Sequence, residues 1–227
     1  AGELGLHPLE LRRRNALRVG AVTSTGQLLH DSVGLLETID RVDGAVRAMG
    51  EDVLVPSGPG RRRGWGFACN LKNVGLGGGS PDSAGATVLV TGDGSVSVRI
   101  GAAEVGQGVV GVAAQIAAEV LGAPLERVEE IVGDTALTPD GGATTASRQT
   151  FITGNAVRLA AEEVRAALAA GAAERLEAPP DRLRFVGGKV FAPTGRGMSL
   201  AEAACLSQAE GRPAAATHLY TPPPTTP

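Results

Sequence analysis

The sequence predicts a mixed α+β fold in which helices pack on mixed sheets that contain β-hairpins. Three observations carry this prediction. Glycine supplies 33 and proline 14 of the 227 residues, which favours many tight turns. Short Val-rich stretches alternate with stretches of helical periodicity. Hydrophobic residues make up 43% of the chain and aromatic residues only 3%, so we expect a core of Val, Leu, Ile and Ala.

The first part of the chain predicts two helices joined by a polar loop. Pro8 suits the first turn of a helix, and Asp31 or Ser32 suits a helix cap. The expected elements are a helix over 8–18, a loop over 21–30 and a helix from Asp31 or Ser32 to about Met49. Clustered Pro and Gly over 50–60 mark the best boundary, which divides the chain into 1–60 and 61–227.

Beyond this boundary the pattern changes to short strands and longer helices. Gly92-Asp-Gly94 between Val-rich stretches is typical of a hairpin turn, and Gly122 stands where a helix should end. The expected elements are strands over 65–74, 86–91, 95–100 and 128–132, helices over 108–121 and about 153–170, a hairpin over 181–192 around Gly187-Gly188, and a helix from Ser199 to about Ala209.

Composition excludes several classes of function. A net charge of −3 argues against nucleic-acid binding through phosphate neutralisation, and no apolar run reaches the ~20 residues that a membrane span needs. Cys69 and Cys205 form neither a disulfide framework nor a metal-binding cluster, so we expect a reducing, cytoplasmic setting. Both ends of the chain have the character of cut edges, so we expect a piece of a longer protein.

The segment Gly101-Ala-Ala-Glu-Val-Gly-Gln-Gly108 lies between a predicted strand and a predicted helix. Gly106 and Gly108 let the backbone approach a ligand, the helix presents unpaired amides, and Gln107 offers a donor and an acceptor. The alternative is a plain glycine-rich turn with Gln107 as an exposed cap, and spacing alone does not decide between them. Glu104 fits either a general base or a structural acceptor for nearby backbone amides.

The segment Gly141-Gly-Ala-Thr-Thr-Ala-Ser-Arg-Gln-Thr150 also precedes a predicted helix. Hydroxyl groups, a guanidinium and an amide stand beside glycines, a combination that can surround a phosphate while Arg148 neutralises its charge. The alternative is a capping loop in which Ser147 or Thr150 caps the helix. So many polar donors in succession exceed what capping demands, which favours anion binding.

At these two segments the sequence resembles the large subunit of the molybdenum hydroxylases, the xanthine dehydrogenase and aldehyde oxidoreductase family. The resemblance runs over nearly the whole chain. It rests on Leu4–Asn15 (similar to LGxDPxxxRxxN, with His7 where Asp is usual), Thr25-Gly-Gln27, Arg63–Ala68, Glu104–Gly108 (E-x-G-Q-G), Gly133-Asp-Thr135 with Thr138-Pro139, Ala146–Gln149 (with S-R-Q) and Thr153–Val157 (with G-N-A-V).

The resemblance implies a bound molybdopterin, in the cytosine dinucleotide form, with molybdenum held by the pterin and no metal ligand from the protein. Gln107 is the implied catalytic residue beside the metal centre. The implied cofactor-binding residues are Val105, Gly106, Gln107, Gly108, Thr144, Ala146, Ser147, Arg148 and Gln149. By the same resemblance, 1–60 is the end of the first cofactor-binding portion and 61–227 the start of the second.

The implied reaction is hydroxylation of a carbon centre with oxygen derived from water, with electrons passing to 2Fe–2S clusters and FAD on other domains or subunits. The implied partners are the rest of the large subunit or a split partner subunit, the iron–sulfur and FAD subunits, and a small-molecule substrate. The family's catalytic glutamate segment, GxGE, does not occur in the chain. We therefore expect the chain by itself to be inactive.

Two alternatives belong to other classes. The first is a non-catalytic cofactor- or anion-binding module that keeps the fold without the catalytic glutamate. The second is a nucleotide-binding protein of another family that uses helix N-termini for phosphate. The residues do not identify the substrate under any of these interpretations.

Overall fold

A computed structural model describes residues 1–50, 58–72, 74–77 and 79–223, and these form two compact units, Ala1–Leu71 and Lys72–Pro227. The predicted boundary over 50–60 falls in part on residues 51–57, outside the described residues. The assignment of 1–60 and 61–227 to two cofactor-binding portions stays a prediction.

The first unit contains helices α1 (Pro8–Asn15) and α2 (Leu35–Ala48). Among the described residues of this unit, Leu9 and Ile39 are the buried apolar side chains, with 2% and 4% of their surface exposed. Arg13 ties the helices together, since it lies 2.9 Å from Asp40 and 2.7 Å from Asp43.

Three sequence predictions in this region need correction. Helix α1 ends at Asn15 instead of residue 18, because Ala16 has an extended backbone (φ −65°, ψ 130°). Gly34, and neither Asp31 nor Ser32, caps α2. The strand predicted over 65–74 is wrong, since its described residues form no strand. Gly64 and Gly66 weaken extended pairing there, because glycine brings no side chain to pack against a neighbouring strand.

The second unit is built on a four-stranded sheet in the order β3-β2-β1-β7. Its strands are β1 (Ala84–Val90), β2 (Val96–Ile100), β3 (Val128–Val132) and β7 (Ala215–Tyr220). β1 pairs antiparallel with β2 and β7, whereas β2 pairs parallel with β3. The predicted hairpin around Gly92-Asp-Gly94 is confirmed.

Helices α3 (Val109–Leu121), α4 (Gln149–Leu176) and α5 (Leu200–Ala209) pack with this sheet around one apolar core. A small second sheet has the order β4-β5-β6, with strands β4 (Arg184–Val186), β5 (Lys189–Phe191) and β6 (Gly197–Ser199). The mixed α+β class and the second hairpin are therefore confirmed, and so is the Ser199 cap, since Ser199 Oγ accepts from the Glu202 amide at 3.1 Å. Helix α4 begins four residues earlier than predicted and ends six later.

Alternation along the strands explains why one face of the large sheet is buried. Val88 and Val98 lie opposite each other in register and are fully buried, as are Val157, Val164 and Leu168 on α4. Alanine dominates the remaining helix surface that faces the core, so the helices approach closely. No helix in the described part of the chain is both long and apolar enough to cross a membrane.

The topology brings two loops to one edge of the sheet. Helix α3 connects the parallel strands β2 and β3, so the carboxyl ends of these strands lie side by side. The loops over 101–108 and 133–148 begin at these two ends. In open α/β sheets ligands bind at the carboxyl ends of parallel strands, and β2 and β3 form the parallel pair of this sheet.

Two helical glycines provide a matched test of this packing. A Cβ on Gly171 of α4 would lie 2.7 Å from the Ser207 backbone nitrogen of α5, whereas a Cβ on exposed Gly111 of α3 meets nothing closer than 4.0 Å. We expect Gly171→Ala to lower the free energy of unfolding by about 1–3 kcal/mol through overpacking. Gly111→Ala should raise it by about 0.5–1 kcal/mol. Chemical denaturation measures both, and equal effects would contradict this packing.

Candidate functional site

The two glycine-rich loops predicted from the sequence lie against each other. A Cβ on Gly101 would stand 2.5 Å from the Pro139 carbonyl oxygen, and one on Gly141 would stand 2.6 Å from the Gly101 carbonyl carbon. The Ala103 amide donates across the gap to Thr144 Oγ1 at 2.8 Å. The loops therefore present one continuous surface.

The Glu104 side chain caps the amino end of α3. Its carboxylate accepts hydrogen bonds from the backbone amides of Gly106 (2.8 Å), Gly108 (3.0 Å) and Val110 (3.3 Å). The expectation of free amides at this helix end is thus wrong, because a carboxylate of the chain itself occupies them. Of the two roles weighed for Glu104, the structure shows that of backbone acceptor.

These hydrogen bonds stabilise the charged form of Glu104. The bond from the Gly108 amide is the largest cause that lowers the pKa of this carboxyl below its ordinary value, with the Val110 and Gly106 amides adding to it. A carboxylate held ionised in this way is a poor proton acceptor near neutral pH, so it is not suited to act as a general base.

Gln107 folds its side chain back across the same turn. Its Nε2 donates to the Ala103 carbonyl at 2.8 Å and its Oε1 accepts from the Val105 amide at 2.7 Å. One N–H of the side-chain amide remains for a ligand, since a primary amide has two donors. Val105, beside it at the tip of the turn, is 74% exposed.

Gly106 and Gly108 allow the backbone conformation of this turn and leave open space in front of it. Their φ angles of +98° and +83° lie in the left-handed region, which favours glycine. A Cβ on either would meet nothing within 4 Å, so the space in front of the backbone is open.

Arg148, in the second loop, is buried, with 1% of its side chain exposed. Its Nε lies 2.6 Å from the Asp82 carboxylate, and its terminal nitrogens donate to the carbonyl oxygens of Gly141, Ala143 and Ser83 at 2.6–2.8 Å. The predicted direct contact of this guanidinium with a phosphate does not fit these surroundings, because Asp82 already neutralises its charge. Arg148 instead fastens the loop to the start of β1.

Gln149 orients Thr144. Its Nε2 donates to the Ala143 carbonyl (3.2 Å) and to Thr144 Oγ1 (3.0 Å), while its Oε1 accepts from the Thr153 hydroxyl. A carbonyl can only accept, which fixes the orientation of the amide. Thr144 Oγ1 thus accepts two hydrogen bonds, from Gln149 and Ala103, and its own proton is left to donate.

The loop before α4 carries amides without internal partners. Across the described ranges, no residue accepts a hydrogen bond from the backbone amides of residues 143–147. Ala146 and Ser147 both have φ of +53°, an unusual conformation for residues with a side chain. The N-cap position of α4 is Arg148, and the helix has no side-chain cap. The predicted capping by Ser147 or Thr150 therefore does not occur.

Sequence reasoning missed two contributors to this site. Asp82, which pairs with Arg148, is 66 residues away and no local pattern marks it. The glycine run that begins at Gly75 was a visible signal: its described members Gly75, Gly77 and Gly79 have φ of +84°, +68° and +74°. The Gly75 amide donates to the Ala146 carbonyl at 3.2 Å, so this run supports the second loop.

The donor set fits an anionic group rich in hydrogen-bond acceptors. Successive backbone amides, one directed hydroxyl proton and a helix amino terminus provide donors at one surface. Within the described residues, no three His, Cys, Asp or Glu side chains lie close enough together to hold a metal ion. The backbone amides and the hydroxyl proton are the donor types that bind phosphate groups in proteins.

Comparisons with known proteins identify the kind of domain. Residues 47–227 match the family model described as "Molybdopterin cofactor-binding domain". The chain is 34% identical over 198 residues to the putative xanthine dehydrogenase molybdenum-binding subunit XdhA of Escherichia coli, covering 84% of this chain and 26% of that protein. It is 33% identical over 168 residues to the aldehyde oxidoreductase of Megalodesulfovibrio gigas, covering 72% of this chain and 18% of that protein.

Solved structures give the same result. The quinoline 2-oxidoreductase of Pseudomonas putida superposes with a TM-score of 0.69 at 25% identity, over 98% of this chain and 31% of that chain. The aldehyde oxidoreductase of Desulfovibrio desulfuricans superposes with a TM-score of 0.60 at 29% identity, over 98% of this chain and 22% of that chain.

The fold and the matched region define a molybdopterin cofactor-binding domain. The chain belongs to the xanthine dehydrogenase and aldehyde oxidoreductase family of molybdenum hydroxylases. It spans only a minor part of the curated relatives it matches: 26% of XdhA and 18% of the Megalodesulfovibrio aldehyde oxidoreductase.

The buried pair of Arg148 and Asp82 can be tested by removing one charge. We expect Arg148→Ala to lower the free energy of unfolding by about 3–5 kcal/mol, because the buried Asp82 carboxylate loses its ion-pair partner and is left with the hydrogen bond from the neutral Leu76 amide. The control is Arg158→Ala on α4, whose ion pair with Glu162 is exposed and worth about 0.5 kcal/mol or less. Urea denaturation measures both, and equal losses would show that the pair does not hold the loop.

The Glu104 cap predicts a pH dependence of stability. Folding lowers the pKa of Glu104 from its ordinary 4.5. The contribution of this carboxylate to the free energy of unfolding is therefore fully present above pH 4.5 and is lost as the pH falls through the folded pKa. Glu104→Gln should therefore be less stable than the wild type at pH 7, with the difference shrinking below pH 4.5. Glu119→Gln, at an exposed position of the same helix, is the matched control in thermal unfolding. A pH-independent difference for Glu104→Gln would contradict the cap.

Proposed function

We propose that this chain holds the molybdopterin of a molybdenum hydroxylase at the surface shared by the loops 101–108 and 141–149. The observation that carries the proposal is the hydrogen bond from the Ala103 amide to Thr144 Oγ1, which joins the two loops that contain the family motifs. The match to the molybdopterin cofactor-binding family supports the choice of ligand.

The residues of the first loop take distinct roles in this proposal. Gln107 would hold the group at its metal end, with its remaining amide N–H as the donor. Val105 and Gly106 line the mouth, and Gly108 turns the chain into α3. Glu104 keeps the turn in shape from behind, because its carboxylate is committed to three backbone amides.

The second loop holds the pterin and the pyrophosphate. The backbone of Ala146 and Ser147 and the Thr144 hydroxyl donate to the anion, with Gln149 orienting Thr144. Arg148 acts as a positioning residue, because its donors are engaged by Asp82 and by loop carbonyls. The attraction for the anion then comes from backbone dipoles and from the amino end of α4.

We further propose the cytosine dinucleotide form of the cofactor, since the open run of amides over 143–147 extends the donor surface beyond what a pterin alone requires. When bound, the group supplies oxidation of a carbon centre with oxygen derived from water. The chain supplies position and hydrogen bonding. The rest of the large subunit, or a split partner subunit, together with subunits that carry 2Fe–2S and FAD, would complete the enzyme.

The alternative of a non-catalytic anion-binding module shares the same donor surface. It differs in one outcome, since it would bind molybdopterin or phosphate without turnover in the assembled enzyme. The intact Gln107 turn favours the enzyme, because an anion site needs no side chain held at that mouth.

Thr144 provides the sharpest test of the proposal. In the assembled enzyme, we expect Thr144→Val to lose most of its bound pterin, because the variant lacks the directed hydroxyl donor and leaves the Ala103 amide without its acceptor. Thr144→Ser keeps the hydroxyl and should retain the pterin. Pterin released by acid and measured by fluorescence gives the content, and thermal unfolding reports separately on folding. Full pterin content in Thr144→Val would refute the proposed site.

A further inference from the structure

The large sheet has a second face, opposite the helices, that the chain covers only in part. Register places Thr87, Leu89, Arg99, Ile131 and Leu219 on this outer face. The loop at Pro139 covers one end, since a Cβ on Gly85 would lie 2.8 Å from the Pro139 side chain. The rest is open: Leu219 is 66% exposed, and Thr87, Leu89 and Ile131 are half-buried.

Arg99 lies near the centre of this open face without a partner. Its cross-strand neighbours are Thr87 on β1 and Ile131 on β3, neither of which carries a charge. Its Nε is fully buried and has no hydrogen-bond partner. Over the ranges that the structure describes, no carboxylate or carbonyl accepts a hydrogen bond from its guanidinium.

The other charged residue on the outer side of the four strands does not pair with Arg99. Glu129 lies opposite Ser97, diagonal to Arg99, on the edge strand β3, where it is exposed. No ion pair joins Glu129 and Arg99. An unpaired guanidinium in the middle of a partly apolar face needs an acceptor as soon as that face is covered, because burying an unpaired charge is costly.

We infer that this outer face is an interaction surface for the remainder of the large subunit, which places a carboxylate over Arg99. This inference rests on the proposed function. Charge complementarity identifies the partner group, since Arg presents parallel N–H donors that match the two oxygens of a carboxylate. The relatives supply the covering chain, because about three quarters or more of their length lies outside the matched region. Leu89, Ile131 and Leu219 provide the apolar surface around the ion pair.

Zero-length cross-linking tests the inference in the assembled enzyme. Arg99→Lys puts a primary amine at this position, and a carbodiimide joins an amine only to a carboxylate in contact with it. The background is low because Lys72 and Lys189 are the only native lysines of the chain. The matched control is Arg184→Lys, an exposed strand residue of the small sheet.

We expect mass spectrometry to find the β2 peptide joined to an Asp or Glu outside residues 1–227, several-fold above the Arg184→Lys control. Arg99→Glu should lower the yield of assembled large subunit about tenfold, which corresponds to about 1.4 kcal/mol. Cross-links to Glu129 or to any other residue of 1–227 would overturn the inference. So would cross-links to a second copy of the chain, or a cross-link yield no higher than that of the Arg184→Lys control.

The pterin content of the same preparations separates this inference from the proposed function. Arg99→Lys leaves both cofactor loops unchanged and should retain the wild-type pterin content. Absence of pterin from the wild-type enzyme would overturn the proposed function, whereas the cross-link would still show which chain covers the sheet.

Discussion

The close contact between Gly101 and Gly141 is the constraint on which the rest of the site depends. Each backbone occupies the volume that a Cβ of the other residue would need, at separations of 2.6–2.7 Å. Because the chain approaches so closely here, the Ala103 amide reaches Thr144 Oγ1 and the two loops share one surface. Parallel pairing of β2 and β3 brings the loops to the same edge, and the glycines bring them into contact.

In the proposed site, backbone dipoles attract the anion and the charged side chains lie behind the binding surface. The guanidinium of Arg148 is neutralised by Asp82, and the carboxylate of Glu104 is held by the amides at the start of α3. These charges fix the two loops in position. The groups left to face a ligand are neutral donors, which suits a ligand that has to be held rigidly and oriented for chemistry at a neighbouring centre.

Two surfaces of the second unit have different partners in these proposals. The surface formed by the two loops would present hydrogen-bond donors to the cofactor. The outer face of the sheet would present Arg99, surrounded by apolar side chains, to the covering chain. The chain covers 26% of XdhA and 18% of the Megalodesulfovibrio aldehyde oxidoreductase, and in the proposed enzyme the remaining polypeptide would supply substrate-selecting residues and cover the sheet. The fold alone does not fix the substrate, because substrate choice is made by residues that line a site and not by the fold that carries them.

The sequence by itself determined the mixed fold, the hairpins, the Ser199 cap and the two glycine-bracketed loops, because turn residues and short-range periodicity act locally. The tertiary structure alone decided the direction in which the polar groups point. Two contacts show this: Asp82, 66 residues away, engages the Arg148 guanidinium, and Thr144, 41 residues away, accepts from the Ala103 amide. Partners distant in sequence leave no periodic trace, so only the folded chain shows which donors remain for a ligand.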